Sequence, residues 1–399
     1  MKEAREWILD ILYQVFFENG YASLLMRKMK ADEKDTAFIA ETVYGTIRNY
    51  ALLEYQWRPY AKKVRNKTAL ILDMAVYQIF FMDVPDYACV NEAVELAKGS
   101  DKNFVNAVLR KVIAAGMKQP ASPAEQYSHP AWLAGLWKAH YGEEIMLELL
   151  KHDQKKPVLW GRINTLKTTK EEIESTLGVT FADDICFSYE GALQKSEAFR
   201  SGKVLIQNIS SMQPVRMLDP EPGMNVLDVC AAPGTKTQQI AMMMNNEGQI
   251  TACDLHEHRC ALIDQLMERT GVSIVHTRCM DSAEKGQFEE ETFDRILCDA
   301  PCSGLGDLSH KPEIRWHLRP EDIDEIVRVQ KNILDAIAPY LKRGGILVYS
   351  TCTLNKKENE KQAAAFLERH PEYELIEEKT FFPHETMGDG FYAAKLRRK

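Results

Sequence analysis

No two cysteines in this chain form a Cys-x-x-Cys pair. The nine are scattered, at positions 89, 186, 230, 253, 260, 279, 298, 302 and 352, and the number is odd. That pattern excludes a disulfide scaffold and a zinc site, so no metal is expected. Most of these thiols are expected to be small, buried, apolar groups. The chain also lacks an apolar run long enough to cross a bilayer. Its opening, Met1-Lys-Glu-Ala-Arg-Glu-Trp7, carries acids where a signal peptide needs a basic and then an apolar stretch. The expectation is a cytoplasmic protein with no membrane partner. An excess of positive charge is missing too. The formal net charge is −8, so a nucleic-acid binder with this balance must gather its basic residues locally. Nothing in the composition implies an oligomer. At 399 residues, two or three domains are expected.

Glycine is scarce where nucleotide folds need most of it. The run Asn225-Val-Leu-Asp-Val-Cys-Ala-Ala-Pro-Gly-Thr-Lys-Thr237 reads as strand, tight turn and helix, the opening of a doubly wound α/β domain. A P-loop needs Gly-x-x-x-x-Gly-Lys-Ser/Thr, and no glycine lies five residues before Gly234. A dinucleotide turn needs Gly-x-Gly-x-x-Gly, and this turn offers one glycine. A ligand with a nucleoside but no phosphate suits it better; S-adenosylmethionine is the common one. Asp254, at the end of the next apolar strand, can take ribose hydroxyls. Downstream, strands at 224–229, 249–253, 273–276, 293–298 and 345–349 alternate with helices at 257–270 and 320–341. Segments 372–377 and 390–396 suggest an added hairpin. In a mostly parallel sheet, ligands sit at the C-terminal strand ends. Gly234, Asp254, Asp281, Asp299 and Cys352 all fall there.

The earlier part of the chain reads differently. Residues 1–125 show helical periodicity, as in Ile8, Ile11, Leu12 and Val15, and predict an all-α bundle. Two basic clusters fall in it. Trp57-Arg-Pro-Tyr-Ala-Lys-Lys-Val-Arg-Asn-Lys67 has five basic residues, two aromatics and no acid; Arg27, Lys28 and Lys30 make the second. Lys62, Lys63 and Arg65 are the candidate RNA contacts; a solvated helix face is the alternative. Residues 126–156 read as a helical connector, 157–206 as a small α+β module, and 207–399 as the α/β domain.

Three phrases of the bundle, Phe38-Ile-Ala-Glu-Thr-Val-Tyr-Gly-Thr-Ile-Arg48, Val90-Asn-Glu-Ala-Val-Glu-Leu-Ala-Lys98 and Phe104-Val-Asn-Ala-Val-Leu-Arg110, resemble the NusB-like RNA-binding domain. The version they resemble is the one fused to bacterial Sun/Fmu ribosomal-RNA methyltransferases. Arg162-Ile-Asn-Thr-Leu-Lys167 resembles the start of that family's RRM-like insert, though the module shows no aromatic base-stacking signature. Two further runs are specific: Asp299-Ala-Pro-Cys-Ser-Gly304, and Tyr349-Ser-Thr-Cys-Thr353. Together they resemble RNA cytosine-C5 methyltransferases. An amine methyltransferase would instead resemble Asp/Asn-Pro-Pro-Tyr/Phe.

The resemblance implies a fold of three parts: NusB-like bundle, RRM-like module, Rossmann-like methyltransferase domain. It implies S-adenosylmethionine as cofactor, held by Cys230, Ala231, Ala232, Pro233, Gly234, Thr235, Lys236, Asp254, Asp281 and Asp299. Asp228 is placed at the cofactor's amino-acid end. Cys352 is implied as nucleophile, Cys302 as the thiol that assists release, and Asp299 as the reader of cytosine N4. The substrate it implies is 16S ribosomal RNA. The alternatives are the same chemistry on transfer RNA or another RNA, or a non-catalytic RNA-binding assembly factor. Departures from the family pattern are Thr235 where a second glycine is usual and Met280-Asp281-Ser282 where Gly-Asp-Ala is usual. Lys311-Pro-Glu-Ile-Arg-Trp316 keeps the family's run.

Overall fold

Helical spacing in the first residues does what periodicity predicts. Ile8, Ile11, Leu12 and Val15 form one buried face of the helix Ala4–Phe17. In the computed structural model, which describes residues 3–399, the chain divides into two units. One holds the chain up to Lys156 together with Leu308–Arg319; the other holds Pro157–Asp307 and Pro320–Lys399.

The first unit is entirely helical. Its long members are Glu33–Trp57, Asn66–Phe81, Asp86–Leu96 and Asp101–Ala115. Gly45 lets two of them touch: a Cβ there would lie 1.9 Å from the Tyr77 ring, so only glycine fits. Trp57 is buried, and its indole donates to Asp73 at 2.7 Å. One of the two aromatics in the basic cluster is therefore core and cannot stack on a base. The stretch expected as a connector packs into this unit as Ala131–Tyr141 and Glu143–His152. Ser128 Oγ accepts from the Ala51 amide at 2.8 Å, and the Gln154 amide donates to the Arg48 carbonyl at 3.2 Å.

Residues 308–319 complete the unit. Arg48 donates to the Ser309 carbonyl at 3.2 Å, and Glu313 accepts from the Ala22 amide at 3.0 Å. The Trp316 indole donates to the Ile47 carbonyl at 2.9 Å. Arg315 is fully buried and donates to the carbonyls of Ser128, Asp153 and Leu308. The run Lys311–Trp316 thus serves as packing. Its arginine is spent on protein carbonyls, which explains the residue types without an RNA contact.

The second unit carries two sheets. A small antiparallel sheet of β1 (Trp160–Ile163), β2 (Cys186–Ser188) and β3 (Val204–Ile206) has the order β2-β1-β3. β2 is short. Asp183 accepts from the Ile185 and Cys186 amides at 2.9 and 2.8 Å, a local turn that competes with the ladder.

The large sheet comprises β4 (Asn225–Asp228), β5 (Gln249–Asp254), β6 (Val275–Cys279), β7 (Phe293–Asp299), β8 (Leu341–Thr351), β9 (Tyr373–Phe381) and β10 (Phe391–Arg398). Its order is β6-β5-β4-β7-β8-β10-β9. The first five named in that order are parallel; β10 runs antiparallel to β8, and β9 to β10. Strand order reverses at β4, between β5 and β7, so the crevice for a ligand opens beyond the carboxyl ends of β4 and its neighbours. The helix predicted over 320–341 ends at Ile337, because β8 begins at Leu341.

Candidate active site

The turn after β4 folds as its residue types dictate. Gly234 has φ +101°, which L side chains rarely adopt, and it caps the helix Thr235–Met243. A cavity of about 80 Å³ lies on this turn, lined by Asp228, Cys230, Ala231, Ala232, Pro233, Thr235, Lys236 and Asp299. Seven of the residues expected to hold the cofactor meet here.

Two buried carboxylates stand at the ends of β4 and β5. Asp228 is buried; its Oδ2 accepts from Thr237 Oγ1 at 2.8 Å, while Oδ1 has no partner. Burial pushes its pKa up to about 7, with nearby Asp299 adding to the effect. Asp254 is also buried at the end of β5, accepting from the Ala232 and His256 amides, each at 3.3 Å, with Arg259 at 3.5 Å. Asp281 lies exposed just beyond β6, where it accepts from the Ala283 amide at 2.8 Å. Its neighbour Ser282 donates to the Val229 carbonyl at 2.6 Å, which ties that loop to the end of β4.

The two cysteine-bearing runs converge. β7 and β8 are adjacent and parallel, with Asp299 opposite Ser350. The strand ends therefore deliver both loops to one place. Cys302 Sγ and Cys352 Sγ are 3.3 Å apart, both free and both partly exposed. The Cys302 thiol is held well above the usual thiol range by its hydrogen bond with Cys352 and by burial. Of the other cysteines, 89, 186, 253, 260 and 298 are buried, as expected of small apolar groups.

Asp299 is tied from two sides: Lys236 Nζ donates to Oδ2 at 2.7 Å and Ser350 Oγ to Oδ1 at 2.8 Å. Burial alone would lower the Lys236 pKa, but Asp299 outweighs it and the net shift is upward. Lys236 thus stays charged beside Asp299 and joins the Gly234 turn to the cysteine loops.

Several participants carry no sequence signal of their own. Glu358 is fully buried, accepting from Ser303, Asn355 and Gln330. It sits in the polar run Asn355-Lys-Lys-Glu-Asn359, which reads as a loop. Arg162, quoted above only as part of a phrase, is buried and donates to Gln207, Gln238 and the Thr235 carbonyl, bracing the Gly234 turn from behind. The proposed RNA contacts Lys62, Lys63 and Arg65 are exposed, with Arg65 3.5 Å from Asp101.

Comparison with known proteins decides the family. The description 16S rRNA methyltransferase RsmB/F matches residues 215–397, NusB family matches 2–114, and an RsmF/B-like ferredoxin-like domain matches 129–179. The probable ribosomal RNA small subunit methyltransferase B of Bacillus subtilis is 33% identical over 99% of this chain and 98% of its own length. The chain belongs to the RsmB/F family of 16S rRNA methyltransferases. The ribosomal RNA small subunit methyltransferase B of Yersinia pseudotuberculosis is 32% identical, covering 92% of this chain and 91% of its own. Among solved structures, PH0851 has a TM-score of 0.83 at 24% identity, covering 98% of both chains. A methyltransferase homolog from Pyrococcus horikoshii has a TM-score of 0.62 at 29% identity, covering 69% of this chain and 98% of its own. The RsmB/F membership agrees with the expected three-part fold, and the small antiparallel module is ferredoxin-like. No helix among the described residues is long and apolar enough to cross a membrane.

Proposed function

We propose that this protein methylates C5 of a cytosine in 16S ribosomal RNA through a covalent bond between Cys352 and C6, with S-adenosylmethionine as methyl donor. The observation that carries the reading is the meeting of Cys302 and Cys352 at 3.3 Å beside the Lys236–Asp299 pair.

The cofactor fits the residues present. The unpartnered Asp228 Oδ1 is a buried acceptor in want of a donor, and an ammonium group supplies one. Asp254 offers a carboxylate at the neighbouring strand end for ribose hydroxyls. Gly234 contributes the φ of +101° that the turn requires, its bare side facing Ile263, Leu266 and Met267. When bound, S-adenosylmethionine supplies an electrophilic methyl group on a sulfonium.

Cytosine C5 is too weak a nucleophile to take that methyl unaided. The Cys352 thiolate adds to C6, the C5=C6 π pair moves to C5, and C5 becomes enamine-like and attacks. Asp299 keeps a lone pair on each oxygen beyond those given to Lys236 and Ser350, and accepts from the N4 amino group. Uracil would set its O4 against the same carboxylate. After transfer, the C5 proton passes to solvent, its electron pair re-forms the double bond, and the Cys352–C6 bond breaks. Cys302, kept as a thiol, stands 3.3 Å from the departing sulfur and donates a hydrogen bond to it. The base must leave any stack to reach this crevice. Lys62, Lys63 and Arg65 supply phosphate contacts from the helical unit.

Bisulfite sequencing of 16S ribosomal RNA from a strain lacking the gene tests the proposal. One cytosine protected in the parent becomes convertible in the deletion, and purified protein with S-adenosylmethionine restores it. An identical protection pattern in both strains overturns the reading.

A further inference from the structure

Between the two cysteine loops lies a buried carboxylate that the chemistry above does not use. Glu358 Oε1 accepts from Ser303 Oγ at 2.6 Å and from Asn355 Nδ2 at 2.9 Å. Oε2 accepts from the Ser303 amide at 2.9 Å and from Gln330 Nε2 at 3.1 Å. All four donors are neutral. The side chain is fully buried, and a carboxylate in that position needs its donors.

These bonds reach both thiols. Ser303 follows Cys302, and its hydroxyl also meets Thr353 Oγ1, next to Cys352, at 2.7 Å. Gln330 also donates to the Pro301 carbonyl at 3.0 Å, on the other side of Cys302. The Glu358 carbonyl accepts from Tyr349 at the end of β8, at 2.6 Å. Separately, the Gly306 amide donates to the Cys352 carbonyl at 3.0 Å and the Ala300 amide to the Ser350 carbonyl at 2.9 Å. The loop of Cys302 has no regular structure; these two backbone bonds hold its ends against β8, and the Glu358 network holds residues 301–303 between them.

From this geometry we infer that Glu358 is a positioning residue whose carboxylate holds Cys302 against Cys352, and so sets how fast the covalent adduct is resolved. The inference rests on the proposed cytosine chemistry. It separates two steps: Cys352 stands at the end of β8 and keeps its place without Glu358, whereas Cys302 does not. The charge of Glu358 also adds, after Cys352 and burial, to what keeps Cys302 a thiol.

Glu358→Gln keeps the shape but turns one acceptor into a donor facing donors. Ser303→Ala removes two of the bonds and leaves the carboxylate. Both are assayed with S-adenosylmethionine and an unmethylated 16S transcript, reading thermal midpoint, single-turnover methyl transfer and adduct lifetime on denaturing gels. In Glu358→Gln, methyl transfer stays near wild type while adduct lifetime rises about tenfold, the effect of about 1.4 kcal/mol. Ser303→Ala shifts in the same sense, and decides the matter alone should Glu358→Gln not fold. Unchanged lifetimes, or methyl transfer and release falling together with the midpoint, overturn the inference. A wild-type enzyme that forms no adduct with 5-fluorocytidine-substituted RNA removes the covalent reading and this inference with it. A wild-type adduct with unaltered lifetime in the variants removes the inference alone.

Discussion

Cys302 Sγ and Cys352 Sγ touch at 3.3 Å although fifty residues separate them in the chain. The contact follows from topology: β7 and β8 are parallel neighbours, and each cysteine lies a few residues from the aligned pair Asp299 and Ser350. Two thiols so placed invite a division of labour, and each half of it is separately testable.

Cys352→Ala removes the proposed nucleophile. Methyl transfer to 16S ribosomal RNA should fall to background, while filter binding to the same RNA stays within about twofold of wild type, since a truncated thiol away from the phosphate contacts costs little affinity. Transfer at the normal rate in this variant refutes the assignment.

Cys302→Ser leaves Cys352 able to add and to methylate, but weakens the partner of the departing sulfur. A protein–RNA band resistant to denaturant should accumulate with S-adenosylmethionine and 16S ribosomal RNA. Free RNA alone on the gel counts against the release role.

Under the proposed pairing of Asp228 with the ligand's ammonium group, cofactor affinity should depend on pH. Its folded-state pKa is raised to about 7 by burial, so below that value the free enzyme carries it neutral and loses its attraction for an ammonium group. Calorimetry from about pH 5.0 to 7.5, where the ligand's ammonium stays charged, should show affinity for S-adenosylmethionine rising with pH and flattening as it passes about 7, with a limiting change of about tenfold per unit. Asp228→Asn should be weak and flat across the range. A flat profile in the wild type contradicts the pairing.

Neutralising Lys62, Lys63 and Arg65 together should reduce the slope of log affinity against log salt by up to about 2 to 3, one counterion or slightly less per lost phosphate contact. The pairing of Arg65 with Asp101 makes its share the smallest. An unchanged slope means that the cluster is only solvated.

The helical unit carries its own pH signature. His129 is buried against Asp153 at 3.1 Å, and burial, with Arg315 nearby, holds its pKa down to about 4. The unfolded chain protonates it first, so stability present above about pH 6.5 is lost as pH falls toward 4, by about 3 kcal/mol for this group. Thermal melts of His129→Gln should show a shallower loss over that window than wild type. Parallel melting curves would contradict it.

Much of this was legible before any coordinates. The turn at Gly234 declares itself through residue types with strong backbone preferences, and the strands through short apolar runs ending in acids. The place of Asp254, Asp299 and Cys352 at strand ends follows from the alternation alone. The burial of Glu358 was not legible, because a lone acid in a polar run looks like a solvated loop until Ser303 and Gln330 bring donors from elsewhere in the chain. Arg315 failed for the same reason: its partners Ser128 and Asp153 lie far away in sequence. Trp57 sits within a basic cluster in the sequence, and only the bundle's packing reveals it as core.

The most direct test is to map the covalent bond itself. Wild-type protein is incubated with S-adenosylmethionine and 5-fluorocytidine-substituted 16S ribosomal RNA, digested, and read by tandem mass spectrometry. The account predicts a methylated fluorocytosine joined through C6 to Cys352. Absence of any adduct, or attachment at Cys302, would contradict it.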